Sequence, residues 1–580
     1  MNLERKAKMS VLLAPDTGRG HGSAHLRRAI GLLNALPDSK ILIDSMSPRL
    51  SSMLAGIDPG RITDRLGGRW NLIIVDRFSA ERETIQDFLR HGCTVGIDLG
   101  GGGRAYCDYL IDTLPRLDDA AVNVADSTLL DLPEATQDVS RQKGTILVTF
   151  GGEDPAHLTE SVAQLLSTAG FAAGVTVVAP TMRTLGRMPA GLEVLPPQPT
   201  LEPLLRRADR VITAFGMTAY EATASGAAVV TVAPTRYHDR LARKAGFRRA
   251  GVGRPNRGRL LAGLGASCTD EQRLPNAPRR SGARSGPRLL ARLPAERSLP
   301  ARRGCPAHPE SFGPAVWRDP EKSYFRCPRC GIVYLERFAP DEESYGASYF
   351  MEEYRAQYGR TYLEDFDHIA AMGTARLARA RRVAPGELAT VLDVGCAYGP
   401  FLCAAAREGL DACGVDVAQE AIAHVRTLGI EAVCGSILDP DTVASLEREV
   451  FDLVTLWYVV EHFDRLDELL PRLSRLVRPG GVLAMSTPYG RGVSARRSPD
   501  QFYRSSPRDH FTIWDRPSAR RILREYGFRV RRSVVTGHHP ERYPLVRHRG
   551  TGLTERVALG HSRLFGWGDT FEIYAVREGR

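Results

Sequence analysis

Residues 391–416 read VLDVGCAYGPFLCAAAREGLDACGVD, and the pattern of this stretch decides the fold of the carboxyl half of the chain. A short apolar strand is followed by a turn from Gly395 to Gly399, a helix and a second apolar strand. This order predicts half of a nucleotide-binding α/β unit. The glycines let the backbone approach a ligand closely, and Asp416, at the end of the second strand, can accept both hydroxyls of a ribose.

Two downstream segments extend the pattern, FDLVTLWYVVEHF at 451–463 and RLVRPGGVLAMSTP at 475–488. A glycine-rich turn alone also fits a dinucleotide dehydrogenase. The whole series, however, resembles the class I S-adenosylmethionine-dependent methyltransferases. In that family the turn holds the amino-acid end of the cofactor, and the acidic residue after the second strand holds its ribose. The cofactor-binding residues that the resemblance implies are Asp393, Gly395, Ala397 (glycine in the family), Gly399, Asp416, and, near the adenine, Ser436 and Ile437.

Methyl transfer is an in-line displacement from a sulfonium ion. The protein orients the two partners and, for a hydroxyl or a carbon acid, removes a proton. The substrate is expected to meet the methyl group at the loop that follows the strand 451–460, at its carboxyl end. His462 is the first candidate for the catalytic base and His510 the second. The alternative for each histidine is a structural role in packing or hydrogen bonding.

The length and composition of the chain limit the number of domains and the class of protein. A chain of 580 residues implies three or four domains, and 43% hydrophobic with 25% charged residues is ordinary for a soluble globular protein. The first residues lack a signal-peptide core, and no apolar run approaches the roughly 20 residues of a membrane helix. The ten cysteines are scattered, which fits a reducing compartment. We therefore expect a cytoplasmic protein without a membrane span, starting at Met1 or at Met9.

The net charge of +11 is concentrated in one segment. Residues 250–304 hold twelve arginines and no lysine against three acidic residues, in a background of proline, glycine, alanine and serine. Such a composition buries little apolar surface, so it predicts a flexible linker rather than a basic recognition face on a folded domain. Binding of nucleic acid or an anionic membrane is one alternative. An out-of-frame stretch is another.

The amino half alternates between strands and helices in two series, which predicts two Rossmann-like halves over residues 1–140 and 141–249. Three glycine-rich turns open helices: DTGRGHGSAHLRR at 16–28, FGGEDP at 150–155 and ITAFGMTAYEATASG at 212–226. The free N–H groups at the start of a helix suit an anion such as a diphosphate. The pattern therefore favours a ligand that carries phosphate groups.

These turns resemble the two-domain GT-B type nucleotide-sugar proteins, especially the branch with the UDP-sugar hydrolase of pseudaminic acid synthesis and the spore-coat polysaccharide proteins. The family pattern GxGHxxR falls on residues 22–28, with Ala24 in place of a glycine. The resemblance implies that His25 activates water or an acceptor hydroxyl; His21 is a competitor, and helix capping is the structural alternative. The UDP-sugar-binding residues that it implies are Gly22, Gly151, Gly152, Gly216, Thr218 and Glu221.

The family continues beyond this point with further elements, whereas the chain becomes irregular in composition soon after Phe247. We therefore expect a second half that is truncated or whose last elements are degraded. That expectation keeps open a non-catalytic binding role for the amino block.

Two short ligand pairs precede the methyltransferase segment. Cys305 and His308 form the first pair and Cys327 and Cys330 the second, each with two intervening residues. Four such donors can surround a structural zinc ion, and free reduced thiols are the alternative. The arrangement resembles the zinc ribbon, here residues 305–335, that precedes the methyltransferase domain, here 336–580, in many sugar-modifying methyltransferases. A tyrosine-rich lead-in follows it.

The predicted architecture is α/β, with a GT-B-like pair of halves, a linker, a zinc ribbon and a class I methyltransferase domain. The main hypothesis is methylation of a sugar or glycoconjugate with S-adenosylmethionine, fused to a UDP-sugar hydrolase or glycosyltransferase for surface polysaccharide or nucleotide-sugar synthesis. One alternative keeps the methyltransferase and makes the amino half a binding module. A nucleic-acid methyltransferase is the third.

Overall fold

The computed structural model divides the chain into two compact units, residues 1–302 with 319–321, and residues 303–318 with 322–580. Its described residues are 10–18, 24–117, 121–127, 130, 132, 141–152, 154–180, 184–198, 200–265, 304–338, 355, 359–543 and 552–579. Gly22, His21, the two candidate start residues, the segment 266–303 and most of the tyrosine-rich lead-in lie outside these ranges.

The first sheet of the amino unit has seven parallel strands in the order β3-β2-β1-β4-β5-β6-β7, a Rossmann-type arrangement. Its strands are β1 (Val11–Pro15), β2 (Ser39–Leu42), β3 (Ile62–Thr63), β4 (Leu72–Asp76), β5 (Cys93–Ile97), β6 (Tyr109–Asp112) and β7 (Val124–Ala125). Its helices are α1 (Ala24–Ala35), α2 (Pro48–Met53) and α3 (Arg82–His91). Because β1 and β4 are buried on both faces, they consist almost entirely of apolar residues.

The second sheet repeats the design with six parallel strands in the order β10-β9-β8-β11-β12-β13. Its strands are β8 (Gln142–Val148), β9 (Val175–Val178), β10 (Glu193–Leu195), β11 (Ala208–Thr213), β12 (Ala228–Ala233) and β13 (Arg248–Val252). Its helices are α4 (Leu158–Thr168), α5 (Glu202–Arg207), α6 (Met217–Ala224), α7 (Arg236–Lys244) and α8 (Arg257–Gly265). The two Rossmann-like parallel sheets that the sequence predicts are therefore present.

The predicted end of this half near residue 249 is wrong. The chain continues through β13, which pairs with β12, and through α8. Leu260 and Leu264, one helical turn apart, are buried against Val230 and other residues of the sheet. Residues 250–265 thus belong to the folded half, and a linker can begin only after Gly265.

A small four-stranded antiparallel sheet opens the carboxyl unit, in the order β14-β15-β16-β22. Three strands come from the predicted ribbon, β14 (Ala315–Arg318), β15 (Lys322–Arg326) and β16 (Val333–Arg337). The fourth, β22 (Thr512–Ile513), comes from far downstream and pairs with β16. The ribbon is therefore continuous with the following domain, and the predicted boundary at residue 335 does not separate them.

The large sheet of the carboxyl unit has the order β19-β18-β17-β20-β21-β24-β23. Its strands are β17 (Thr390–Val394), β18 (Asp411–Asp416), β19 (Glu431–Cys434), β20 (Phe451–Trp457), β21 (Val477–Pro488), β23 (Phe528–Thr536) and β24 (Thr570–Arg577). All neighbours are parallel except for β24, which runs antiparallel to β21 and β23.

Helices cover both faces of this sheet. They are α9 (Phe366–Val383), α10 (Pro400–Arg407), α11 (Gln419–Thr427), α12 (Pro440–Ala444), α13 (Leu466–Leu476), α14 (Val493–Arg497), α15 (Pro499–Ser505), α16 (Arg516–Glu525) and α17 (Gly552–Phe565). Successive residues of β17 enter opposite cores: Val391 belongs to the same buried cluster as Phe401, and Leu392 belongs to the one that contains Leu469. This double burial explains the unbroken apolar run of the strand. No helix within the described residues is long and apolar enough to cross a bilayer.

Candidate active site

The turn between β17 and α10 has a backbone that requires glycine at two points. Gly395 and Gly399 have φ angles of +73° and +81°. A Cβ added at Gly395 would lie 2.4 Å from Val459, and one at Gly399 would lie 2.9 Å from Val425. Packing and backbone angle thus require these glycines even before a ligand is considered. Ala397, at φ +45°, accepts a left-handed conformation in which the family has glycine.

Asp416 ties this turn to the end of β18. Its Oδ2 accepts a hydrogen bond from the Ala397 N–H at 2.8 Å, and its Oδ1 accepts one from the Ala418 N–H at 2.9 Å. Burial raises the pKa of its carboxyl group above the ordinary value, against the effect of these backbone donors. The side chain therefore shapes the turn in addition to any ribose contact.

Asp393, at the end of β17, is buried and accepts a 2.5 Å hydrogen bond from the Thr455 hydroxyl. Burial raises the pKa of this carboxyl to about 7, although the hydrogen bond and the positive charge of Arg376 act in the opposite direction. A cationic ligand group beside Asp393 would favour its ionised form. The amino group of an amino acid is such a group.

The two predicted adenine-site residues follow β19. Ser436 has its hydroxyl turned to its own backbone, where Oγ accepts from the Leu438 N–H at 3.2 Å. Ile437 is only 1% exposed and belongs to the hydrophobic core. Their contact with an adenine ring stays a prediction.

A cluster of ionisable side chains lies at the carboxyl end of β20. Glu461 and His462 belong to a short 3₁₀ turn, Val460–His462, and the rings of His462 and His510 meet edge to face with centroids 4.7 Å apart. Nδ1 of His462 lies 3.0 Å from Oδ2 of Asp509. The sequence-predicted histidines are therefore brought together, and the turn adjoins Gly395 through Val459.

The pKa values in this cluster diverge. Burial alone would lower the pKa of His462, but its bond to Asp509 and the charge of Glu461 outweigh burial and raise it. Burial and the adjacent His462 lower the pKa of His510 to about 4. Burial also raises the pKa of Glu461 to about 7. Groups with separated pKa values at one strand edge are typical of a site for proton transfer.

Comparison with known proteins agrees with this geometry. Residues 362–533 match a protein-family model described as "Methyltransferase domain". Residues 362–533 are a class I S-adenosylmethionine-dependent methyltransferase domain. The prediction of a methyltransferase domain that uses S-adenosylmethionine is thereby confirmed, whereas its predicted bounds, 336–580, stay a prediction.

Curated relatives match a limited length of the chain. A ubiquinone biosynthesis O-methyltransferase of Paracidovorax citrulli is 29% identical over 127 residues, 21% of this chain and 53% of the relative. One of Xanthomonas oryzae pv. oryzae is 32% identical over 102 residues, 17% of this chain and 43% of the relative. The chain thus spans about half the length of the curated relatives it matches. A solved methyltransferase from Archaeoglobus fulgidus aligns with 39% of this chain and 98% of its own, at 20% identity and a TM-score of 0.29.

Upstream of the methyltransferase domain, the four predicted metal ligands converge. Their ligand atoms all lie within 4.8 Å of one another, and Cys305, His308, Cys327 and Cys330 are buried. The Cys305 Sγ lies 3.7 Å from both the His308 Nδ1 and the Cys330 Sγ. The other ring nitrogen of His308 lies 3.1 Å from a carboxylate oxygen of Glu525. A carboxylate behind a metal-binding imidazole is the usual outer-shell arrangement of zinc sites, so the donor set fits zinc.

In the amino unit, His25 lies at the first turn of α1 and faces the end of the neighbouring strand. Its Nδ1 lies 2.6 Å from Oδ1 of Asp76, the last residue of β4. Arg28 binds the same carboxylate through two nitrogens, at 2.6 and 2.7 Å, and reaches Asp98 at 2.7 Å. Burial would lower the pKa of His25, but the adjacent Asp76 outweighs burial and raises that pKa. Burial would raise the pKa of Asp76, but the charge of Arg28 outweighs burial and lowers the pKa of Asp76 to about 2.

The remaining predicted UDP-sugar residues lie at one edge of the second sheet. Gly151 and Gly152 follow β8, Gly216 caps the start of α6 after β11, and β8 and β11 are parallel neighbours. Thr218 and Glu221 follow in α6.

A Cβ on Gly216, whose φ is +155°, would meet no atom within 4 Å among those described, so its surroundings are open. Burial and the negative charge of Asp98 raise the pKa of Tyr220 in α6. The α6 edge therefore lies within electrostatic reach of the His25 network.

Three carboxylates were missed by sequence reasoning. Asp76 and Asp509 orient His25 and His462, and Glu525 contacts His308. Asp76 carried a usable signal, because it is the polar last residue of an apolar strand next to β1. Asp509 directly precedes the candidate His510, but its pairing with a residue 47 positions away has no sequence pattern.

Proposed function

We propose that the carboxyl unit methylates a sugar or glycoconjugate with S-adenosylmethionine, and that the amino unit handles a UDP-sugar, in surface polysaccharide or nucleotide-sugar synthesis in the cytoplasm. The observation that carries the proposal is the placement of the Asp416-tied glycine turn beside the Glu461–His462–Asp509–His510 cluster, at adjacent strand ends. A cofactor turn beside proton-accepting side chains suits group transfer to an acceptor that must lose a proton.

The residues of the turn fit S-adenosylmethionine, which supplies a methyl group on a cationic sulfur. Asp416 has a second acceptor site on each oxygen for a ribose hydroxyl, since each already accepts one backbone bond. Asp393, whose carboxyl is buried beside the turn, becomes a stable anion when the cationic amino group lies next to it. Ser436 and Ile437 bound the adenine end.

In the proposed reaction, His462 accepts the proton of the acceptor hydroxyl while the oxygen forms its bond to the methyl carbon. The bond from carbon to sulfur breaks with its electron pair moving to sulfur, so that a cation becomes a neutral thioether. Asp509 holds the imidazole in one orientation and stabilises its protonated form. His510 stays neutral near pH 7 because burial and the adjacent His462 lower its pKa to about 4, so it can accept a hydrogen bond but is a weak base.

The nature of the acceptor rests on two lines of support. Both the ribbon-preceded methyltransferase and the amino unit resemble proteins that act on sugars. The curated relatives are named O-methyltransferases, which supports oxygen as the atom methylated. Nucleotide sugars, sugars and phenols should therefore be screened with labelled S-adenosylmethionine, with products identified by mass spectrometry.

In this screen, His462→Gln should lose turnover while His368→Gln, the same change at an exposed position of α9, keeps it. Methylation of phenols alone would overturn the sugar assignment. A salt-dependent transfer to DNA or RNA alone would favour a nucleic-acid substrate instead.

For the amino unit, the His25–Asp76 pair supports catalysis by hydrolysis or glycosyl transfer. A histidine oriented by a buried carboxylate is a competent general base, and the continuation of the second half through β13 and α8 supports a fuller domain than the composition suggests. Release of UDP from UDP-sugars should fall at least 100-fold in His25→Ala if the pair is catalytic. Undiminished UDP binding without release in the unaltered protein would instead favour the binding-module alternative.

We also propose structural zinc at Cys305, His308, Cys327 and Cys330. The convergence of three thiols and one imidazole supports this assignment, because these soft and borderline donors select zinc. Metal analysis of the purified protein should give one zinc per chain. Cys327→Ser should lose it, whereas Cys403→Ser, a half-buried thiol away from the cluster, should keep it.

A further inference from the structure

The Glu461 side chain is buried in a way that its own surroundings do not explain. It is 1% exposed, and neither carboxylate oxygen has a partner at hydrogen-bonding geometry within the part of the chain that the structure describes, although the neighbouring His462 and the Thr487 hydroxyl interact with it electrostatically. A buried carboxylate without a partner is costly, so such a group normally pairs with a charge or coordinates a metal. Glu461 thus points to a positively charged ligand.

The neighbours of Glu461 complete a donor set. One ligand atom each from Glu461, His462 and His510 can be chosen so that all three lie within 4.8 Å of one another. Two imidazoles and one carboxylate, with coordination positions left open, form the facial set that binds divalent first-row metals. The hydrogen bond from His462 to Asp509 is the outer-shell contact expected of a metal-binding histidine.

We propose that Glu461, His462 and His510 bind a divalent first-row cation beside the cofactor turn. This cluster contains no sulfur, whereas the cluster at Cys305 has three thiolates. The two sites therefore differ in preference: zinc suits the thiolates, and manganese or ferrous iron suits the nitrogen and oxygen donors. The cation would lie beside the Glu461 carboxylate and balance its negative charge.

The consequence for catalysis, which rests on the proposed methyl transfer, is a changed role for His462. His462 acts as the base only while the cation is absent; once it is a metal ligand, the cation activates the acceptor hydroxyl in its place. The acceptor hydroxyl would bind an open position of the cation and lose its proton to solvent, and the positive charge would stabilise the oxyanion that attacks the methyl group. Three protein ligands leave room for such an acceptor.

The test uses the full chain with its zinc retained and Mn²⁺ as the probe. Electron paramagnetic resonance of free Mn²⁺ should show one bound ion per chain, with affinity reduced at least tenfold in Glu461→Gln and in His510→Ala. Asp509→Asn should weaken binding by about 10- to 100-fold, as for other outer-shell ligands. Glu468→Gln, the same change at an exposed site on α13, should bind normally.

Thermal unfolding provides a readout that does not need activity. Without added metal, Glu461→Gln should unfold at a higher temperature than the unaltered protein, because it removes an uncompensated carboxylate. With Mn²⁺ the order should reverse, because only the unaltered site gains binding energy. Equal Mn²⁺ binding in Glu461→Gln, or no Mn²⁺ effect on unaltered protein, would overturn the proposal. Calorimetry of S-adenosylmethionine in a chelator tests the proposed function separately.

Discussion

Replacement of Asp416 by asparagine should weaken S-adenosylmethionine binding by a calculable amount. The carboxylate already accepts the Ala397 and Ala418 N–H groups and is expected to accept the ribose hydroxyls in addition. Asparagine keeps one acceptor oxygen and presents an NH₂ group where the other was. One charged hydrogen bond to the ribose is then lost, at about 1.5–3 kcal/mol, which corresponds to about 10- to 150-fold in Kd.

The same change strains the turn, because the NH₂ group faces a backbone N–H. We expect a further loss of about 1–3 kcal/mol in unfolding free energy. Calorimetric titration gives the Kd, and urea denaturation gives the stability. Asp411→Asn is the matched control: it removes a carboxylate from the exposed start of the same strand and should leave the Kd unchanged. An Asp416→Asn protein that binds the cofactor as tightly as the original would refute the assignment of the ribose site.

Three other perturbations give further checks. Burial raises the pKa of Asp393 to about 7, so between about pH 4 and 7 the folded cofactor-free protein holds a proton there that the unfolded chain has released. The unfolding free energy should therefore fall as pH rises through this window. Asp393→Asn should remove that part of the pH dependence, measured by urea denaturation at several pH values. Asp76→Asn should lower the pKa of His25, which NMR can measure. It should also destabilise the amino unit by about 3 kcal/mol, because Arg28 loses its main partner. An unchanged pKa of His25 would contradict the proposed bonding of His25 to Asp76. A strong chelator should lower the unfolding temperature of the unaltered protein but add nothing to the loss already present in Cys327→Ser.

Much of the carboxyl fold could be predicted because its signal is local. The strand, turn, helix and strand of 391–416 depend on neighbouring residues. The first strand, Thr390–Val394, ends directly before the predicted turn, and the second, Asp411–Asp416, ends at Asp416 as expected. The glycines were expected for closeness to a ligand. Their positive φ angles and the packing of Val459 and Val425 supply a second reason that a linear sequence does not contain.

The wrong domain boundary near residue 249 came from judging the following segment by its overall amino-acid composition. Residues 250–265 are rich in arginine and glycine, which suggested a linker, yet Leu260 and Leu264 alone supply the buried face of α8. The spacing of Leu260 and Leu264 indicates a helix, but the arginine-rich sequence that follows dominates the composition of the whole segment.

The contact between Asp509 and His462 could not be predicted, because it forms only when distant parts of the chain fold together. Asp509 reaches His462 only because the chain after α15 returns to the end of β20. Such a contact is set by topology and not by spacing, so the two candidate histidines could be named from the sequence while the carboxylate that contacts His462 could not.

The pairing of β16 with β22 has a practical and evolutionary consequence. Leu335 donates a backbone hydrogen bond to Phe511, the residue next to His510, at 2.9 Å, and Asp467 donates one to Pro306 in the first metal-ligand pair. The ribbon that carries the proposed zinc site thus supports the loop that carries His510. A gene segment cut at residue 339 would encode a methyltransferase with an unsupported acceptor loop, so ribbon and enzyme are expected to be inherited, truncated and lost together.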